Sequence, residues 1–213
     1  MGMKGVDTDE IYRRMPLDRI PWASDTPPDA LVSLVESGKV GPCKAIDLGC
    51  GAGAYAIWLS QQGFEVTGAD SSPTAIGIAR EKAAKAGVSC LFVVCDLLGD
   101  LHEIGGSFDF GYDWELLHHI MPEDRETYAR NVASLLNPGA TYFSVCFSEE
   151  DPQFGGTGKI RKTPLGTVLY FSSEAEIRDL FAPYFDIQKL RTIPVPGKFG
   201  PAHRAICLVA HRS

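Results

Sequence analysis

Lys44-Ala45-Ile46-Asp47-Leu48, running directly into Gly49-Cys50-Gly51-Ala52-Gly53, is the stretch on which the fold turns. A short apolar run meets three glycines in five positions, and Tyr55, Ile57, Trp58 and Leu59 then supply apolar side chains until Gly63. That order reads as strand, tight turn and helix opening. Glycine suits such a turn because it accepts left-handed backbone and lets other groups approach closely.

The alternation continues downstream. Residues 64–69 read as a second strand, followed by a helix with Ser72 as N-cap, Pro73 in its first position, Ile76, Ala79, Ala83 and Ala86 on one face, and Gly87 as its stop. Residues 91–95 form a third strand closed by Asp96, and residues 108–112 a fourth. Pro122 opens a helix with Tyr128, Val132, Leu135 and Leu136 on one face, and Asn137-Pro138-Gly139 breaks it before a fifth strand at 141–147. Ser173 and Glu176 form a capping box for the last helix, and two strands near 185–193 and 204–211 have only a loop between them. Helices between the first five strands imply parallel crossovers, whereas the loop implies an antiparallel hairpin. The expected fold is α/β, a doubly wound seven-stranded mixed sheet with an antiparallel C-terminal hairpin and its ligand at the carboxyl ends of the strands.

Upstream, residues 1–29 read as an N-terminal arm laid over the active site, with Ile20-Pro21-Trp22 near its end, and residues 30–213 as one domain. Within it, residues 148–170 are an irregular insert, glycine-rich and basic at Lys159, Arg161 and Lys162, expected to act as a lid. The 213 residues are enough for one core, and 20 Lys+Arg against 27 Asp+Glu leave a net charge of −7, which disfavours nucleic acid as partner. The longest charge-free stretch, 48–64, contains four glycines and a Ser-Gln-Gln run, so no membrane partner is expected. Six cysteines without a Cys-x-x-Cys pair suit reduced thiols, and with no signal-peptide pattern the expected location is cytoplasmic.

Gly49-x-Gly51-x-x-Ala54 with Asp70 also fits a dinucleotide turn. Three features break the tie: Asp47 at the end of the first strand, where a carboxylate can hold a ligand's ammonium; Asp96, placed to accept from an adenine amino group; and the helixless hairpin. Together with Phe108-Asp109-Phe110-Gly111-Tyr112, these segments resemble the class I S-adenosylmethionine-dependent methyltransferases over residues 30–211. The resemblance implies S-adenosyl-L-methionine as cofactor and S-adenosyl-L-homocysteine as product. It implies that Gly49, Gly51 and Gly53 let the backbone approach the cofactor, that Asp70 accepts from the ribose hydroxyls, and that Asp96 and Leu97 bracket the adenine. Asp47, Cys50, Ser71 and Tyr112 complete that set, with Trp22 shielding the sulfonium.

A closer resemblance, carried by Ile20-Pro21-Trp22, Asp113-Trp114-Glu115-Leu116-Leu117 and the insert, is to the thiopurine, thiol, halide and tellurite methyltransferase branch. It implies a small-molecule acceptor, a soft nucleophile (thiol, chalcogen oxyanion or halide), methylated by direct in-line displacement; the expected assembly is a monomer or homodimer. Asp113 and Tyr112 are then the catalytic positioning residues, and Trp114, Lys159 and Arg161 line the substrate. The alternative is an O- or N-methyltransferase of a small metabolite, with Asp113, His118 or His119 as base. Adjacent histidines on a helix point about 100° apart and chelate poorly, so no metal is expected. A nicotinamide-dependent oxidoreductase and a non-catalytic cofactor-binding regulator are the readings from other classes.

Overall fold

The computed structural model describes residues 6–155 and 157–213. Residues 1–5 of the arm and Gly156 of the insert lie outside the described residues. The described arm contains a helix absent from the sequence reading, α1 (Thr8–Arg14), N-capped by Asp7, and a 3₁₀ turn at Leu17–Arg19. The domain then runs α2 (Asp29–Glu36), β1 (Lys44–Leu48), α3 (Ala54–Gln61), β2 (Glu65–Asp70), α4 (Pro73–Ala86), β3 (Cys90–Val94) and β4 (Phe108–Trp114). It continues with α5 (Arg125–Leu135), β5 (Leu136–Phe147), β6 (Ile160–Lys162), β7 (Val168–Tyr170), α6 (Glu174–Phe181), β8 (Phe185–Val195) and β9 (His203–Arg212).

The seven-stranded sheet has the order β3-β2-β1-β4-β5-β9-β8. Its first five strands are parallel, and β9 is antiparallel to both β5 and β8. The fold is therefore the expected doubly wound sheet with an antiparallel C-terminal hairpin. Local signals end the helices as read: the Ser72 hydroxyl accepts from the Ala75 N–H at 3.0 Å, Gly87 caps α4 at φ 67°, and Ser173 and Glu176 complete a capping box on α6. Some boundaries differ: β3 starts at Cys90, β4 runs on to Trp114, and the insert read as irregular holds the antiparallel pair β6–β7. Asn137-Pro138-Gly139 lies inside β5, in a bulge that opens between the pairs Phe108–Leu136 and Phe110–Thr141, because proline has no N–H for the ladder.

Alternation along each strand divides the core into two layers. Ile46, Leu48, Tyr128, Leu135, Tyr142 and Phe181 fill the layer under α5 and α6; Ala45, Ala56, Leu59, Ile76, Phe110 and Phe143 fill the layer under α2, α3 and α4. A third, smaller cluster of Ile11, Tyr12, Ile20, Ala52 and Ala75 docks the arm onto the glycine turn and the start of α4. Among the described residues no helix is long and apolar enough to cross a membrane.

Candidate active site

The carboxyl ends of the parallel strands open into a cavity of about 510 Å³ roofed by the arm. Asp47, Asp70, Asp96 and Glu115, at or just after the ends of β1, β2, β3 and β4, stand on its wall, with Tyr12, Leu17, Trp22 and Asp25 above them and Lys198 entering from the β8–β9 loop. The turn after β1 is tied to β2 by the Gly49 and Cys50 N–H groups, which donate to the Ala69 carbonyl at 2.8 and 3.0 Å. Its glycines answer first to protein neighbours. A Cβ on Gly53 would stand 2.7 Å from Ala79 Cβ, one on Gly51 2.5 Å from the Tyr12 hydroxyl, and one on Gly49 2.8 Å from Leu116. Helix packing leaves no room for a side chain at Gly53, and the arm leaves none at Gly51.

Asp70 accepts from the Gly51 N–H with Oδ2 and from the Ser72 N–H with Oδ1, both at 2.8 Å, so it shapes the turn while each oxygen keeps a lone pair for the cavity. Burial pushes its carboxyl up, and the two N–H groups oppose that. Asp47 is the register partner of Tyr112, and Asp47 Oδ2 and the Tyr112 hydroxyl are buried without a hydrogen-bond partner among the described residues. Burial is the main reason the Asp47 carboxyl is pushed up to about 7. The Tyr112 hydroxyl beside it opposes that rise, and a buried carboxylate on the cavity wall with no cation of its own is suited to a ligand's cationic group. Asp96 Oδ1 takes the Leu98 N–H at 2.9 Å, and Leu97, Cys50, Ser71 and Trp114 share the wall. Burial holds the Cys50 thiol protonated. The Trp22 indole donates to the Tyr12 hydroxyl at 2.9 Å and meets His119 edge-on at 6.2 Å.

A family model described as a methyltransferase domain matches residues 45–139. The ubiquinone biosynthesis O-methyltransferase of Xanthomonas axonopodis pv. citri (strain 306) is 31% identical over 171 residues, covering 73% of this chain and 71% of the relative. The chain belongs to the class I S-adenosylmethionine-dependent methyltransferases. The 2-heptyl-1-hydroxyquinolin-4(1H)-one methyltransferase of Mycobacteroides abscessus is 29% identical over 175 residues, 81% of this chain and 71% of that methyltransferase. Several other ubiquinone biosynthesis O-methyltransferases match over only 39% of their length. A solved structure concerned with the conversion of a disulfide bond into a thioacetal group during echinomycin biosynthesis superposes with a TM-score of 0.79 at 27% identity, covering 97% of this chain and 91% of that one. Solved methyltransferases of this fold hold S-adenosylmethionine or S-adenosylhomocysteine, which is the cofactor of this methyltransferase too.

Several residues expected at the methyltransferase site lie elsewhere. Tyr112 is fully buried, stacked on Phe110 with ring centroids 5.5 Å apart, and is not on the cavity wall. Asp113 points to the opposite face of β4, where it accepts from Tyr128 at 3.1 Å, Ser144 at 3.1 Å and the Tyr142 hydroxyl. Both are corrections with one cause: helices cover both faces of a doubly wound sheet, so the side chains of neighbouring strand residues can both end in the core. Lys159 and Arg161 are a second correction. Lys159 pairs with Glu176 at 2.7 Å and Glu149 at 3.1 Å; Arg161 is buried on Phe171 and donates to the carbonyls of Glu149, Asp151, Gln153 and Gly158. None of the described residues of 148–170 lines the cavity, whereas residues of the arm and Lys198 of the β8–β9 loop do.

His118 stacks on Phe147 at 4.1 Å and accepts the Phe147 N–H at 3.3 Å, whereas His119 reaches the cavity wall. Burial pushes the His119 imidazole down to about 4, leaving it neutral. The sequence reading missed Tyr12, Tyr55, Lys198 and Glu115. Glu115 has a φ of 63°, in the left-handed region, which carries no sequence signal.

Proposed function

We propose that this methyltransferase acts on a small, uncharged acceptor through a hydroxyl or thiol that is protonated when it enters the cavity. The charge of the wall carries the reading. Asp18, Asp25, Asp47, Asp70, Asp96 and Glu115 stand on it against two lysines, Lys82, which is paired with Asp25, and Lys198, which keeps its charge but is held at the carbonyls of Leu17, Ile20 and Ala23, so acidic groups outnumber basic ones. An anion entering would give up hydration for a field of its own sign. A thiol stays within this reading, and halides and chalcogen oxyanions fall outside it. A hydroxyl acceptor is supported by the O-methyltransferase to which the chain is similar, and sulfur by the structure concerned with thioacetal formation.

When bound, S-adenosyl-L-methionine supplies a methyl group activated by a positive sulfonium. In this reading Asp47 Oδ2 takes the ammonium, the turn from Gly49 to Gly53 with Ser71 runs along the methionine and ribose, Asp70 accepts from the ribose hydroxyls, and Asp96 and Leu97 flank the adenine. The Trp22 ring stands beside the positive centre. The arm keeps water out and, with Trp114, aligns the acceptor for in-line displacement, an effect worth up to about 7–11 kcal/mol. The test is a panel of phenols, thiols, iodide and tellurite scored by mass spectrometry for S-adenosylhomocysteine. Uncharged phenols or thiols should give the most product; faster turnover of iodide or tellurite than of every phenol and thiol contradicts the reading.

A further inference from the structure

A protonated acceptor needs a group to take its proton, and Glu115 stands on the cavity wall. Glu115 follows β4 at φ 63°, a conformation that residues other than glycine rarely adopt and that persists only where the surroundings impose it. The imposition is visible: its N–H donates to the Val145 carbonyl at 2.8 Å, and the next residue, Leu116, packs against the glycine turn at Gly49. The bend places Glu115 on the cavity wall, with no hydrogen bond or cation engaging its carboxyl among the described residues.

We infer that Glu115 is the general base that takes the proton of the acceptor hydroxyl or thiol; this rests on the acceptor reading above. The acceptor's O–H or S–H bond breaks and the proton goes to a Glu115 carboxylate oxygen. The pair left on oxygen or sulfur forms the bond to the methyl carbon, and the carbon–sulfur pair of the cofactor leaves on sulfur. The negative carboxylate and the positive sulfonium are thereby both neutralised, which suits a site screened from water.

Burial pushes the Glu115 carboxyl up to about 7, where a base is most effective at neutral pH. The titratable groups sharing the cavity are Tyr12, Asp18 and Asp25 of the arm, Asp47 of β1, Cys50 of the glycine turn, Tyr55 of α3, Asp70 of β2, Lys82 of α4, Cys95 and Asp96 after β3, His119, and Lys198 of the β8–β9 loop. Burial leaves the His119 imidazole a much weaker base, and it holds the Tyr55 phenol protonated.

The experiment compares wild type with Glu115→Gln and Glu115→Asp on phenols and thiols of graded acidity. Wild-type kcat/KM should rise with pH through about 7. Glu115→Gln should lower kcat by about 10²-fold or more, with a residual rate that follows the acceptor's own ionisation, and Glu115→Asp should recover part of the loss. S-adenosylhomocysteine should bind all three proteins alike in calorimetry. Carbon-13 NMR of glutamate-labelled wild type should show a carboxyl titrating near 7, a signal lost in Glu115→Gln. A wild-type rate and pH profile in Glu115→Gln, loss of S-adenosylhomocysteine binding in that variant, or the absence of any such carboxyl in wild type overturns the assignment to Glu115 alone. If S-adenosylhomocysteine binds but wild type turns over no phenol or thiol, the acceptor reading fails and the base role falls with it.

Discussion

The Trp22 indole N–H donates to the Tyr12 hydroxyl at 2.9 Å, and that same oxygen fills the space a side chain at Gly51 would need. The arm therefore does more than lie near the cavity: its tyrosine and the glycine turn are fitted to each other. Lys198 reinforces the fit by donating to the carbonyls of Leu17, Ile20 and Ala23. Tyr12→Phe should blunt this contact and speed hydrogen exchange at residues 17–23, and Lys198→Met should do so more strongly because three donors are lost. Unchanged exchange in both variants, followed by mass spectrometry, contradicts the clamp.

Asp70 serves the turn and, in our reading, the ribose. Replacing it by Ala should remove charge-assisted hydrogen bonds worth roughly 1.5–3 kcal/mol each and weaken S-adenosylhomocysteine binding by at least about tenfold. The variant should also melt at a lower temperature, since the Gly51 and Ser72 N–H groups lose their acceptor. Calorimetry showing wild-type affinity contradicts the assignment to the ribose.

Asp113 should behave as a core residue. Asp113→Ala leaves the hydroxyls of Tyr128, Tyr142 and Ser144 without their common acceptor, a loss on the order of 3 kcal/mol or more in a denaturant melt. The fraction that remains folded should bind S-adenosylhomocysteine as wild type does. A variant of normal stability with lost activity would return Asp113 to the chemistry.

The arm carries its own acid dependence. The Ser72 hydroxyl and the Thr74 N–H, at 2.6 and 3.0 Å, hold the Asp9 carboxyl down at about 2, against an ordinary 3.8. A lowered carboxylate supports the docked state above the ordinary value and ceases to do so as pH falls through the folded one. Docking should therefore weaken between about pH 4 and pH 2, read as a change in tryptophan fluorescence, and Asp9→Asn should lose that dependence. An unaltered pH response in the variant contradicts the link.

Much of the fold was legible because its signals are local. Ser72-Pro73 and Gly87 bound α4, the capping box starts α6, and the missing helix between β8 and β9 fixes the hairpin. The sequence also placed Asp47, Asp70 and Asp96 at strand ends, and all three line the cavity. The site was not legible at Tyr112 and Asp113, since period-two alternation says that neighbours face opposite ways but not that both faces are covered at that point. Lys159 and Arg161 looked like an anion-attracting loop because sequence does not show that Glu149, Glu176 and four carbonyls already claim them. Glu115 was hidden for another reason: its position depends on a left-handed bend imposed by β5 and the glycine turn, not on its own neighbours in sequence.

The most direct test is the crystal structure of the protein with S-adenosylhomocysteine and a phenol or thiol acceptor that the panel shows to be turned over. The account predicts the amino group at Asp47 Oδ2, directly or through one water, the ribose hydroxyls at Asp70, and the acceptor heteroatom between the cofactor sulfur and the Glu115 carboxylate, within hydrogen-bond reach of that carboxylate. A cofactor lying outside the space beneath the arm, or an acceptor heteroatom turned away from Glu115, would contradict it.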